Sequence, residues 1–219
     1  MSKPMSKPMS KPTEDLKKDL QEPIEKLNGS NVQETFKEIA KKLFENYYIQ
    51  CGEKKYYFAE IEFYYYDKEK LCVDWNRKTY PRTDKQVGDF FFHYSGFDIC
   101  FESCFDKGKF GGILVRSLRD EKGNFITGPL VCLLEILNAC AKLKIWPELV
   151  HSQEQECCDL AEPIARCGIT YKDNQEDMKL CYYDKRLLKT KPSTQKVSWD
   201  FTKKQETTSL RYYKRFNNQ

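Results

Sequence analysis

The chain has 219 residues, 40% of them hydrophobic and 14% aromatic, with a formal net charge of +4. That length and apolar content suit one sizeable packed domain and exclude a chain too polar to bury a core. No apolar run approaches the ~20 residues that span a bilayer, and the first residues lack the apolar stretch of a signal peptide. The expectation is a soluble intracellular protein of the cytoplasm or nucleus, with no membrane partner.

Charge is distributed unevenly. Residues 1–12 hold three lysines and no acid, residues 13–184 hold 24 basic against 31 acidic residues, and residues 185–219 hold ten basic against two acidic. A mildly acidic body thus carries a basic tail, a composition that suits a polyanion such as nucleic acid and equally a solvated lysine-rich end. Ten cysteines without a secretory signal read as reduced, mostly buried thiols. Cys100 and Cys104, four residues apart in a strand, stand roughly 13 Å apart and cannot bridge. His151, Cys157, Cys158 and Cys167 match no zinc-ligand spacing, so neither a metal nor a cofactor is expected.

Met-Ser-Lys-Pro occurs three times up to Pro12. Proline at every fourth residue and no apolar face predict a disordered arm. Thr13–Leu27 is charged with sparse apolar residues, at best a marginal helix, which extends the arm to residue 29. Residues 30–219 then form the domain. Ser30 or Asn31 can cap a clear helix in which Val32, Phe36, Ile39, Ala40, Leu43, Phe44 and Tyr47 recur at helical spacing, ending near Cys51-Gly52.

From Tyr56 to Tyr66 the period changes to two, and aromatic and β-branched residues predict a strand. Asp67–Gly88 is polar and reads mostly as a loop. Asp89–Tyr94, Phe97–Phe105 and Gly111–Leu118 predict further strands, with a tight turn at Ser95-Gly96. Gly128-Pro129 opens a helix whose buried stripe is expected to be Leu130, Leu133, Leu134, Leu137 and Cys140. Glu148–Ile164 reads as mixed helix and loop. Ile169–Tyr171, Leu180–Tyr183, Val197–Phe201 and Leu210–Tyr213 supply late strands. The sum is an α+β fold with a mainly antiparallel, curved sheet flanked by helices.

The chemistry concentrates in one strand. Alternation puts Glu60, Glu62 and Tyr64 on one face, opposite Ile61 and Phe63. A buried carboxylate is costly unless paired, and Arg116, set among apolar residues in Gly-Gly-Ile-Leu-Val-Arg-Ser-Leu, is the natural partner. A solvated carboxylate face and a structural ion pair are the competing readings. His93, beside Tyr94 and Ser95, is either a general base or a hydrogen-bonded structural histidine. In the tail, Lys203, Lys204, Arg211, Tyr212, Tyr213, Lys214 and Arg215 interleave cations with aromatics, as phosphate-binding and base-stacking surfaces do.

Ala-Glu-Ile-Glu-Phe-Tyr (59–64), Gly-Asp-Phe-Phe-Phe-His-Tyr-Ser-Gly-Phe-Asp-Ile-Cys-Phe-Glu (88–102), the Arg116 block and Gly-Pro-Leu (128–130) stand in this order and spacing. Together they resemble the 3-methyladenine (alkyladenine) DNA glycosylase family, or a divergent branch sharing its fold, over about a third of the chain. The resemblance implies a monomer that acts on double-stranded DNA, flips a damaged purine out of the stack and hydrolyses its N-glycosidic bond without a covalent intermediate. It puts the water-activating carboxylate on Glu62, the arginine near the water on Arg116 and the base-stacking tyrosine on Tyr64. The rest of the substrate side falls on Phe92, His93, Tyr94, Ser95 and Glu102. Ser95 stands where the family has a wedging tyrosine, with Tyr94 next to it. Glu102 stands where the family has a pocket asparagine, and the family's loop histidine falls nearest to Val73. A non-catalytic member of the fold that binds nucleic acid or protein is the alternative, and an enzyme acting on a small nucleoside-like substrate is a third reading.

Overall fold

The computed structural model describes residues 13–28, 30–69, 72–73, 79, 85–104, 108–154, 156, 158–166 and 179–189; for 72–73 and 101–104 only the backbone is described. The repeated arm, the three expected strands at 169–171, 197–201 and 210–213, the tail cations, Cys157, Cys167 and the side chains of Val73 and Glu102 lie outside it.

Helical structure begins at Thr13, whose Oγ1 accepts from the Leu16 N–H at 3.3 Å. It runs through α1 (Glu14–Leu16), a π-helical turn (Lys17–Gln21) and α2 (Glu22–Glu25). The π turn precedes Pro23, whose ring cannot accept a normal turn behind it. The segment is not an appendage. Leu16, Leu20, Ile24 and Leu27 are all in the main core, so residues 13–28, which the sequence assigned to the arm, pack with the domain. Their spacing of four, four and three residues is an apolar stripe that the surrounding charges obscure.

The next helix, α3 (Val32–Asn46), buries Val32, Phe36, Ile39, Ala40, Leu43 and Phe44. It ends five residues earlier than its periodicity suggested. Tyr47–Cys51 is a strand, β1, with Tyr47, Ile49 and Cys51 buried in alternation. Tyr47 fits both periods, so the helical stripe in the sequence runs one turn past the end of the helix. Gly52, at φ +66°, turns the chain into the long central strand β2 (Lys54–Asp67).

The remaining strands are β3 (Cys72–Val73), β4 (Phe90–His93), β5 (Gly96–Cys104), β6 (Lys109–Asp120), β7 (Phe125–Thr127), β8 (Glu148–His151) and β9 (Cys181–Tyr183). They form one curled antiparallel sheet in the order β4-β5-β6-β2-β1-β8, with β3 and β9 also on β2 and β7 on β6. The fold is therefore α+β, as the order of elements implied. β8 replaces the helix-and-loop mixture expected there, because Tyr47–Gln50 offers it a free edge. Between β4 and β5 the two turn residues are Tyr94 and Ser95, one position earlier than expected, with His93 paired to Gly96.

Helix α4 (Pro129–Leu143) starts at Gly128-Pro129 as expected but buries a different face. Cys132, Leu133, Ile136, Ala139 and Cys140 face the sheet, whereas Leu130, Leu134 and Leu137 are exposed, Leu134 by 50%. The helix is apolar nearly all round, so periodicity alone did not select a side. The chosen side carries the small residues, which lets the helix approach closely. It also places Glu135 where the Tyr56 hydroxyl donates to it at 2.7 Å. Pro129 rests on Gly96, where a side chain's Cβ would stand 2.9 Å from the Pro129 Cβ. Among the described residues, no helix is long and apolar enough to cross a membrane.

Candidate active site

Two compensating bulges shape the centre of the sheet. Along β2 and β6, Phe58 pairs with Leu118, Glu60 with Ser117 and Ile61 with Val115. Ala59 is thus extra on β2, and Arg116 is extra on β6. An extra residue shifts the alternation by one, so the face that a strand presents changes parity at that point. Phe58 packs towards Phe44 of α3, and beyond the bulge Phe63 and Tyr65 pack on Phe36 of the same helix. Glu60, Glu62 and Tyr64 consequently all lie on the opposite face. The bulge at Arg116 has a second effect: consecutive residues Arg116 and Ser117 reach the same carboxylate.

That carboxylate is Glu60. Arg116 Nε–H donates to its Oε1 at 3.2 Å, and the Ser117 hydroxyl donates to its Oε2 at 3.1 Å. The Cys181 thiol, from β9, lies 3.5 Å from Oε1. Arg116 also reaches Glu62, with Nη1 3.4 Å from Oε2. The same oxygen of Glu62 accepts from the Tyr64 hydroxyl at 2.9 Å. Both carboxylates are fully buried, and Arg116 is nearly so. A guanidinium is suited to this task because its planar fork of donors can serve two acids at once.

A second arginine, absent from the sequence-based expectations, completes the centre. Arg166 lies on the irregular segment after β8, with its guanidinium 4.9 Å from the centroid of the Tyr64 ring. Its Nη1 donates to the Phe63 carbonyl at 2.9 Å. Two acids and two arginines therefore balance in charge within a buried volume, the condition under which buried ions are tolerable. Burial, then the Glu62 charge and its hydrogen bond, push the Tyr64 phenol well above its ordinary range. Tyr64 is thus a neutral donor to Glu62, and its ring is covered by Arg166 in this conformation. Arg166 had no recognisable signal: it stands alone in Pro-Ile-Ala-Arg-Cys, without periodicity or a motif.

The other expected substrate residues divide. Phe91 pairs with Asp98, Asp98 with Leu114, Leu114 with Glu62 and Glu62 with Cys181, forming one row across five strands. Residues directly opposed across a sheet share a face. Asp98 is therefore on the Glu62 side, two strand spacings or ~10 Å away. His93 projects over it, with Nε2 3.6 Å from Asp98 Oδ1, while Nδ1 lies 2.9 Å from the Ser95 hydroxyl. Tyr94, at the tip of the hairpin, is 96% exposed. Phe92 is not on this side. It packs towards the core with Phe90, Phe97 and Trp146, since alternation sends it opposite to His93. The Glu102 backbone belongs to β5.

Among the described residues, no group of three or more potential ligands is placed to hold a metal ion. Comparisons with protein-family models, curated proteins and solved structures gave no match to this chain.

Proposed function

We propose that the chain is a DNA glycosylase-like hydrolase that cleaves the N-glycosidic bond of a damaged purine, with Glu62 as the general base for water. The observation that carries this reading is the setting of Glu62, held between the Tyr64 hydroxyl and the Arg116 guanidinium, with its acid neighbour Glu60 paired to the same arginine. A carboxylate in such a setting is fixed in direction. It can take a proton from water as the sugar gains oxocarbenium character.

Roles follow from the contacts. Ser117 holds Glu60, Glu60 holds Arg116, and Arg116 orients Glu62 and the attacking water. Tyr64 keeps one Glu62 oxygen occupied, which directs the other chemistry to the remaining oxygen. The exposed Tyr94, next to His93, which faces the same side as Glu62, would enter a base stack and hold a duplex open.

Full burial of both glutamates favours a second reading, in which the four charges are a structural cluster and the protein is a non-catalytic binding module. The test is single-turnover excision from duplex DNA carrying hypoxanthine, ethenoadenine or 3-methyladenine, wild type beside Glu62→Gln. Excision lost in the variant while DNA binding persists supports the hydrolase. DNA binding without excision by either protein supports the binding module, and no binding at low salt removes both.

A further inference from the structure

The acid–arginine centre is walled by a segment with an unusual set of attachments. Residues 158–166 have no helix and no extended ladder. At one end Cys158 and Leu160 pack against the main core. In the middle, Ala161 and Ile164 join Cys181 and Tyr183 of β9 in a small apolar cluster separate from that core. Backbone bonds tie it to the same strand: Ala161 N–H to Tyr183 O, and a reciprocal pair between Ile164 and Cys181. At the other end Arg166 reaches past β9 to β2, donating to Phe63 O and lying over Tyr64.

We infer that residues 158–166 form a lid at the β9 side of Glu62 and Arg116, hinged at Cys158–Leu160 and latched by Arg166. The planar guanidinium lies on one face of the Tyr64 ring, so the lid cannot stay latched while a flat ligand stacks on that face. Opening breaks the Arg166–Phe63 hydrogen bond, the cation–ring contact with Tyr64, three backbone hydrogen bonds to β9 and the exposed Lys37–Glu162 ion pair. It exposes only a four-residue apolar cluster, and the main core stays intact, as expected of a sub-global opening unit. That the opening serves substrate entry rests on the reading of Glu62 as the catalytic base; the latch itself is tested without it.

Two buried thiols report on the lid independently. Cys181 pairs with Ile164 of the lid and lies beside Glu60, whereas Cys132 lies in α4 on the core side of the same sheet region. Native protein is pulsed with N-ethylmaleimide, then denatured, digested and assayed by mass spectrometry at each cysteine. In Arg166→Ala, alkylation of Cys181 is expected to accelerate at least tenfold, with Cys132 within twofold of wild type. Arg166→Lys, which keeps the charge but loses the planar stack, is expected to fall between the two. An unchanged Cys181 rate overturns the latch, and an equal rise at Cys132 reduces Arg166 to a general stabiliser.

Hydrogen exchange on the wild-type protein keeps the test open should the alanine variant fail to fold. The Ile164 and Cys181 amides are expected to exchange at least a hundredfold faster than those of the β2–β6 ladder. Equal protection in the two places overturns the lid. A lid that opens in a protein excising no base supports this inference and removes the glycosylase reading.

Discussion

Arg116 and Ser117 are neighbours in β6, yet both donate to the carboxylate of Glu60, because Arg116 is the extra residue of a β-bulge. In a regular strand the two would point to opposite faces, and one of them would be in the core. The bulge therefore makes Glu60 the anchor of the centre, with an arginine on one oxygen and a serine on the other. Glu62 receives the remaining reach of the same guanidinium.

This geometry ranks the two acids. Glu60→Ala leaves the Arg116 guanidinium and the Ser117 hydroxyl facing a buried void and is expected to cost about 3–5 kcal/mol. Glu62→Gln keeps the volume and an acceptor for Tyr64, and is expected to cost less than half as much. Urea denaturation followed by circular dichroism measures both. Equal losses would show that Glu60 does not anchor Arg116.

Alkaline stability follows from the buried phenols. Tyr64 is held above its ordinary value of 10.0 by burial, then by the Glu62 charge and hydrogen bond. Its folded form binds the proton more tightly than the unfolded chain does. The associated stability is thus complete below pH 10 and is lost as the pH climbs above that value. Each such group contributes a slope of about 1.4 kcal/mol per pH unit there. Tyr47 and Tyr182 are raised mainly by burial and add to it. Tyr64→Phe is expected to flatten the fall by one proton, read from urea midpoints between pH 9 and pH 11; parallel curves for the two proteins would contradict the assignment.

At the hairpin tip, stability and function separate. Tyr94 is almost fully exposed, so Tyr94→Ala should change the unfolding free energy by no more than about 0.5 kcal/mol. If the ring enters a base stack, the same substitution removes roughly 1–3 kcal/mol of binding. Fluorescence anisotropy with a lesion-bearing duplex checks this, and an unaltered affinity would take Tyr94 out of the interface.

Helix α4 offers a direct check on which side is buried. Leu133→Ala should cost about 2–5 kcal/mol, the range for an emptied core leucine. Leu134→Ala, one residue on, should stay within about 0.5 kcal/mol. Thermal unfolding of the pair distinguishes them, and comparable losses would mean that the exposed stripe has a partner.

Much of the sheet was legible because its signals are local. The two-residue period of β2, the strands around Phe90, Phe97 and Ile113, and the Gly128-Pro129 start of α4 all follow from residue type and spacing. So did the side of the sheet shared by Glu60, Glu62 and Tyr64. What was not legible depends on pairing. The shift in parity at Ala59 arises from register against β6, which alternation within β2 does not encode. Tyr47 fits a helix and a strand equally, and only β8 on its other edge decides between them. The buried face of α4 is set by the small residues it presents, not by its hydrophobicity. Arg166 entered the centre from a segment with no periodic pattern, carried there by the attachment of Ile164 to β9.

The position of β9 has a consequence for the order in which this protein is made. β2 meets β6 after about fifty intervening residues, but Glu60 and Glu62 receive their second edge from Tyr183 and Cys181, more than a hundred residues downstream. Contacts of such long sequence separation form late, after the loop-closure entropy of the nearer pairings has been met. During synthesis the two acids therefore remain at an open sheet edge, exposed to water, until almost all of the described chain has emerged. The centre is closed by the last of the described strands, so a truncation before residue 181 removes the strand that seals its charges.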